Sequence, residues 1–199
     1  MGLRDVLTGR HTVKGPAPDH LFAISTAYVT LQAEHQIEPA GKAAIVFQAL
    51  ATSEFESTLR DMEAVVTATG GESGTKVSTQ DDSYGYRWMV LHNPEGAPSV
   101  EDLAVGINAV SSSIEVAGYG ERLLCAVFAF LDARKRRVYF IYNYKRGYWY
   151  PFVPAAGPGS DRSEQRDTER ELQIKAQMAS EMPIEPELER WFPLWGIPI

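Results

Sequence analysis

The chain has 199 residues, of which 44% are hydrophobic and 11% aromatic, and its formal net charge is −7. This length and this composition are typical of one globular domain, and they exclude disorder along the whole chain. The negative charge argues against a dedicated nucleic-acid binder and against general adhesion to anionic lipid, because both need a basic surface.

The first predicted elements are a short amphipathic start with its linker, a helix and a strand. The start and the linker occupy residues 1–18. Apolar side chains over residues 21–31 recur at helical spacing, and Pro39 and Gly41 are expected to end that helix. The short apolar run 43–50 predicts a buried strand.

The next helix has the clearest start signal in the sequence. Ser53 is predicted to be its N-cap, and Glu56 lies at the spacing that completes a capping box. The helix is expected to end at Gly70, because glycine favours helix ends. Two segments, 75–80 and 84–92, then predict a pair of strands, and the second shows the alternation of a half-buried strand.

A third long helix and three further strands follow. Ser99 is the predicted N-cap of the helix, and Gly118 is expected to close it. The strands are predicted at 123–131, 137–144 and 148–153. The last of them is expected at the sheet edge, since Pro151 has no N–H to donate. A charged helix over about residues 163–182 completes the predicted domain.

The order of helices and hairpins predicts an α+β domain, with a mainly antiparallel sheet and helices packed on one face. The order over residues 53–182 resembles the secretion-chaperone-like or YbjN-like fold. A ferredoxin-like arrangement of residues 43–131 is the alternative. We divide the chain into the N-terminal segment 1–18, a single domain 19–190 and an apolar C-terminal strap 191–199.

Motifs with catalytic meaning are weak in this sequence. The glycine-rich segment 70–76 runs from a helix to a strand, which is the reverse of a phosphate-binding P-loop. Within it, residues 73–76 match S-x-x-K without the companion motifs. The four histidines lack zinc spacing, and Cys125 lies in an apolar run that predicts a buried, unreactive thiol. We therefore predict no enzyme activity, no cofactor and no metal site.

Basic and aromatic residues form the candidate interaction surfaces. The dense positive cluster Arg134-Lys135-Arg136-Arg137 would suit an acidic partner or anionic headgroups, and a solvated hairpin turn is the alternative explanation. A second basic pair, Lys145 and Arg146, is expected at the opposite end of the sheet. Aromatic side chains near it are predicted to pack in the core or to form part of a contact surface. They are Tyr144, Tyr148, Trp149 and Tyr150.

The last nine residues carry no charge and include two of the four tryptophans, Trp191 and Trp195. Chain ends are usually polar, so this apolar end is expected to pack on the domain or to be held for a partner or a membrane surface. Pro193 and Pro198 prevent the long amphipathic helix that a membrane anchor would use. We predict an extended strap with at least one buried tryptophan.

Several segments spread over nearly the whole chain are distinctive as a set. They are 2–10, 21–24, 30–32, Asp82-Ser83-Tyr84-Gly85-Tyr86, 108–125, 144–147, 150–152 and Trp191-Phe192-Pro193-Leu194-Trp195-Gly196. Together they resemble the PspA-associated protein family PspAB. The resemblance implies a prokaryotic accessory of a phage-shock-type envelope-stress response, encoded near a PspA-like coiled-coil membrane protein or near the membrane metalloprotease HtpX. The family supplies no active-site residues to carry over.

We therefore expect a non-enzymatic, cytoplasmic protein-interaction module with a protein partner, PspA-like or HtpX-type, and with at most peripheral membrane contact. A small-molecule-sensing domain is the alternative, and a hydrolase ranks third. A deep pocket with convergent polar groups would favour sensing or catalysis, whereas exposed aromatic residues with a basic rim would favour binding.

Overall fold

The computed structural model describes residues 18–70, 74–155 and 165–199. The predicted amphipathic start and its linker lie outside these residues, apart from Pro18, at which the first helix begins. Residues 156–164, which include the start of the predicted last helix, and residues 71–73 of the glycine-rich segment also lie outside them.

The described residues form helices and strands close to the predicted ones. The helices are α1 (Pro18–Phe22), α2 (Ile24–His35), α3 (Ser53–Gly70), α4 (Val100–Val116) and α5 (Thr168–Met178). The strands are β1 (Glu38–Gln48), β2 (Lys76–Asp81), β3 (Tyr86–His92), β4 (Leu123–Leu131), β5 (Arg137–Asn143) and β6 (Tyr148–Phe152). Short 3₁₀ turns occupy Gly120–Arg122 and Leu188–Arg190.

The strands form one six-stranded sheet in the order β2-β3-β1-β4-β5-β6, and all neighbouring strands are antiparallel. The α+β class predicted from the sequence is therefore confirmed. The unit β1-α3-β2-β3-α4-β4 places β3 between β1 and β2, and β1 between β3 and β4, which is the split arrangement of the ferredoxin-like alternative. The hairpin β5–β6 extends the sheet beyond β4. The similarity to the secretion-chaperone-like or YbjN-like fold stays a prediction.

Both faces of the central strands are covered. In β4, Phe128 and Phe130 point to the helical side, whereas Val127 and Ala129 point to the opposite side, as the two-residue period of a strand requires. Helices α1 to α5 contribute to the core on the first side. The last residues of the chain cover the second side, where Trp191 and Ile199 are buried.

The N-cap of α3 differs from the prediction by one residue. The carbonyl oxygen of Thr52 accepts the first helical hydrogen bond, and its hydroxyl accepts a bond from the N–H of Phe55 at 3.3 Å. Glu56 does not close a capping box, because its carboxylate is 2.7 Å from the guanidinium of Arg87. The prediction of a capping box formed by Ser53 and Glu56 is therefore wrong. The predicted cap of α4 is confirmed, since the Ser99 hydroxyl accepts from the N–H of Asp102.

Pro39 and Gly41 lie inside β1 and do not end a helix. Helix α2 ends at His35, where the following residue Gln36 adopts a left-handed conformation with φ of 54°. The register of β1 against β4 shifts between Pro39 and Lys42. This bulge accommodates a proline that cannot donate to the ladder, and Gly41 supplies the positive φ of 68° that the chain needs there.

The last helix is shorter than predicted. It begins at Thr168, and the side chain of Asp167 caps it by accepting from the N–H of Arg170. Arg166 is not helical but pairs with Pro154 in an isolated antiparallel bridge. The charged composition of the segment predicts a helix well enough, but the long-range bridge before it determines where the helix starts.

Candidate interaction surfaces

The predicted basic cluster lies on the turn between β4 and β5, which we call the basic hairpin (residues 132–137). One carboxylate oxygen of Asp132 accepts from the N–H groups of Arg134 and Arg136, and the other accepts from the Arg136 guanidinium at 2.8 Å. Burial disfavours the charged carboxylate, but the hydrogen bonds from Arg136 and Arg134 outweigh burial and lower the pKa of Asp132. Asp132 therefore fixes the shape of the turn.

Most of the positive charge in the basic hairpin has a partner within the protein. Lys135 pairs with Glu38 at 3.0 Å, and Arg136 also approaches Asp167 at 3.6 Å. Arg137 donates to the carbonyl oxygen of Ile199 and to the hydroxyl of Tyr139. These structural roles were not expected. Apart from the bond between Arg137 and Tyr139, they follow from contacts between positions distant in sequence.

Arg134 differs from its neighbours in the basic hairpin. Its side chain is exposed and has no ionic or hydrogen-bonding partner among the described residues. It borders an open depression of about 570 Å³ between the hairpin, the end of α2 and the start of α5. The depression carries both signs of charge, since Arg170 and Glu169 also line it. Among the described residues of the basic hairpin, Arg134 is thus the cation that is presented most freely.

The second basic pair lies at the other end of β5, as the antiparallel pairing requires, so Lys145 and Arg146 do not extend the basic hairpin. Arg146 binds the buried carboxylate of Glu185 at 2.6 Å and approaches Glu187 at 3.4 Å. Its guanidinium also lies 5.8 Å from the ring centre of Tyr148. Arg146 therefore holds the segment after α5 against the β5–β6 turn, while Lys145 stays exposed.

Four of the predicted interaction residues are interior. Tyr144, Trp149, Tyr150 and Trp191 are all buried. The indole N–H of Trp149 donates to the carbonyl oxygen of His20 at 2.7 Å, so α1 rests on β6. Core packing explains these four side chains, and they offer no contact surface. Tyr148 and Trp195 are half-buried and remain available for contact.

The apolar C-terminus packs as the predicted extended strap. Trp191 is 4% exposed and Ile199 is 2% exposed, which confirms the expected burial of at least one tryptophan. Trp195 packs edge-on against Phe152, with ring centres 5.1 Å apart. The hydroxyl of Tyr139 donates to the carbonyl oxygen of Ile199 at 3.0 Å, so the end of the strap is bonded as well as packed.

A buried ion pair anchors the strap to α5, and sequence reasoning missed it. Glu171 is 0% exposed and lies 2.7 Å from Arg166, and it also accepts from the N–H of Val153. Burial raises the pKa of Glu171, although the bonds from Arg166 and Val153 oppose the rise. Arg166 then donates to the carbonyl oxygen of Trp191 at 2.7 Å. The pairing joins residues that no local pattern connects.

A second depression, which we call the aromatic pocket, lies between the β2–β3 turn and the strap. It has a volume of about 430 Å³. The residues around it are Gln80, Asp81, Asp82, Ser83, Tyr84, Trp88, Trp195, Gly196 and Pro198. Asp82 builds one wall, because its carboxylate accepts from the N–H groups of Tyr84 and Tyr86 and from the indole N–H of Trp88. No sequence pattern indicated this pocket.

The single cysteine has no catalytic character. Cys125 is buried, and burial raises the pKa of its thiol to about 12. Over residues 18–70, 74–155 and 165–199, no group of three histidine, cysteine or acidic side chains is arranged to hold a metal ion. Within the same ranges, no helix has the length and apolar character needed to cross a membrane.

The fold defines an α+β protein in which one antiparallel sheet lies between a helical layer and a C-terminal strap. The chain belongs to the PspAB family, described as PspA associated protein B, whose family model matches residues 1–199. No curated protein and no solved structure is detectably similar to the chain. The resemblance expected from the distinctive segments is therefore confirmed over the full length.

Proposed function

We propose that the protein is a non-catalytic, cytoplasmic interaction module that binds a PspA-like membrane protein in a phage-shock-type envelope-stress response. The observation that carries the proposal is membership, over the whole chain, of a family described by its association with PspA. An HtpX-type protease is the second partner that this role would accommodate.

The basic hairpin is the surface that we assign to the partner. Asp132, Arg136 and Arg137 are held by internal bonds, so the turn is ordered before a partner arrives. Its tip then presents Arg134, together with Lys135, whose side chain is 68% exposed despite its contact with Glu38. On a chain with a net charge of −7, such a local positive site directs an acidic surface to one place.

Binding to the purified PspA homologue of the same organism tests this function. Calorimetry with the full chain should give a saturable interaction that weakens as salt increases, because exposed charges are screened. The charge-reversal variant Arg134→Glu/Lys135→Glu should bind more weakly. The matched control, Arg60→Glu on the exposed face of α3, should bind as the native protein does. Absence of binding to both the PspA homologue and the HtpX-type protease would contradict the proposal.

A small-molecule-sensing role is the second candidate function, and the aromatic pocket is the observation that favours it. Ligand pockets are usually deep and mainly apolar, with a few convergent polar groups. The aromatic pocket is open to solvent, and the carboxylates of Asp81 and Asp82 already bond to groups of the protein. The aromatic pocket therefore has the character of a contact site for a protein partner more than that of a small-molecule site.

A further inference from the structure

We propose that the aromatic pocket receives an arginine or lysine side chain of the protein partner. This inference rests on the proposed function, since it assigns part of the partner interface. It also adds a second contact site to the basic hairpin, one of opposite charge and one that no sequence pattern indicated.

The pocket joins two distinctive segments that are far apart in the chain. Residues 82–86 supply the turn between β2 and β3, and residues 191–196 supply the strap up to Gly196. Neither segment has a catalytic pattern, and each is placed by its own contacts. Asp82 organises the turn, and the contact of Trp195 with Phe152 fixes the strap. The pocket is therefore formed before any partner binds.

Aromatic rings line the pocket at different depths. Tyr84 is 71% exposed, Trp195 is half-buried, and Trp88 is only 3% exposed and so lies at the base. The face of an aromatic ring attracts a cation through its quadrupole, most strongly when the ring is tryptophan. Tyr84 has no side-chain partner among the described residues, so its ring is free to contact a ligand.

The charge around the pocket is negative. Asp81 and Asp82 line it, and none of the described lysines and arginines does. The guanidinium of Arg87 is shared between Asp81 and Glu56, so these three groups together carry one negative charge and Asp82 adds another. A cationic group is attracted to such a site, and an anionic one is repelled.

The carboxylate of Asp82 keeps capacity for a ligand. A carboxylate offers about four lone-pair positions to donors. Asp82 uses two on one oxygen, for the N–H groups of Tyr84 and Tyr86, and one on the other, for Trp88. The remaining position suits one N–H of a guanidinium or an ammonium group. A side chain of this kind combines the cation that the rings favour with the donor that Asp82 accepts.

The first experiment uses small probes with the full chain. The tripeptide acetyl-Gly-Arg-Gly-amide is titrated while the indole N–H signals are followed by NMR, and acetyl-Gly-citrulline-Gly-amide, which has the same shape without charge, is the matched probe. The arginine probe should shift the signals of Trp88 and Trp195, and the citrulline probe should not. Tyr84→Ala should lower the affinity for the arginine probe about two- to fivefold, the range for the loss of one exposed cation–π contact. Phe192 is an exposed aromatic residue outside the pocket, so Phe192→Ala should leave the affinity for the arginine probe unchanged.

The second experiment separates this inference from the proposed function. Affinity for the PspA homologue is measured with Tyr84→Ala, Trp195→Leu and Phe192→Ala. Weaker binding by the first two variants alone supports the pocket as part of the interface. Equal binding by all three overturns the inference and leaves the proposed function standing. Equal shifts from the charged and uncharged probes, or no shift from either, overturn it as well.

Discussion

The ring of Trp191 stacks on the ring of Tyr150, with centres 6.2 Å apart and planes inclined by 23°. The indole N–H of Trp191 donates to the carbonyl oxygen of Glu185, and the hydroxyl of Tyr150 donates to that of Phe192. Each aromatic side chain therefore buries its ring and satisfies its polar atom in the same contact. This pair attaches the strap to β6 at the point where the strap begins.

Trp191→Ala should destabilise the protein by about 3–5 kcal/mol, the usual cost of removing a buried large aromatic side chain. Phe192→Ala is the matched control, because this neighbouring ring is 59% exposed and only its carbonyl oxygen is bonded. The control should change the free energy of unfolding by less than about 0.5 kcal/mol. Urea denaturation measures both. Equal effects of the two substitutions would show that the strap is not held through Trp191.

Thr52→Ala should cost about 1 kcal/mol of stability, because it removes the hydroxyl that accepts from the N–H of Phe55. Ser53→Ala should be nearly neutral, since Ser53 lies inside the first turn of α3 and is exposed. The two variants differ by one position and are compared by thermal unfolding. A larger loss of stability for Ser53→Ala would show that Ser53, and not Thr52, caps the helix.

Local patterns predicted the class and the order of the elements. The continuous apolar run of β4 and the helical spacing of apolar residues in α4 are properties of neighbouring positions, and both elements end within a residue or two of the predicted bounds. Burial of Cys125 followed in the same way from its apolar neighbours. The strap was also predictable, because nine uncharged residues with two tryptophans cannot stay in water without cost.

The contacts that define the candidate sites could not be predicted, because they join residues distant in sequence. Arg137 meets the carbonyl oxygen of Ile199, and Asp81 comes near Trp195 across the aromatic pocket. Nothing near Glu171 in the sequence marks it as a buried carboxylate. The basic hairpin shows the same limit, since its composition suggested four free cations and the fold gives partners to three.

Asp132→Asn should make stability less dependent on pH in acid. The lowered pKa of Asp132 means that its contribution is fully present above the ordinary carboxyl value of 3.8 and is lost as pH falls through the lower folded-state value. Asparagine keeps an oxygen for the N–H groups of Arg134 and Arg136 but loses the charge that faces the Arg136 guanidinium. The variant should be less stable by about 1 kcal/mol near neutral pH. Melting temperatures measured across the acid range should converge; a constant difference would exclude the ion pair as the cause.

Cys125 should react slowly with thiol reagents in the folded protein. Only the thiolate is nucleophilic, and a pKa of about 12 leaves almost none of it at neutral pH. Because the chain has one cysteine, labelling reports on this site alone. Labelling should become fast in denaturant. Fast labelling of the native protein would show that the second face of the sheet opens readily at β4.

Truncation after Arg190 should lower the melting temperature and expose the second face of the sheet. The strap buries Trp191 and Ile199 and covers side chains such as Val127 and Ile141, which would otherwise be more exposed to water. An exposed apolar face also promotes association between molecules. The truncated chain should therefore bind a hydrophobic dye and show a larger mass in light scattering. Trp191→Ala removes a single side chain of the strap and should also lower the melting temperature. If the truncated chain melts as the full chain does and loses only its affinity for the PspA homologue, the strap serves the partner and does not stabilise the domain.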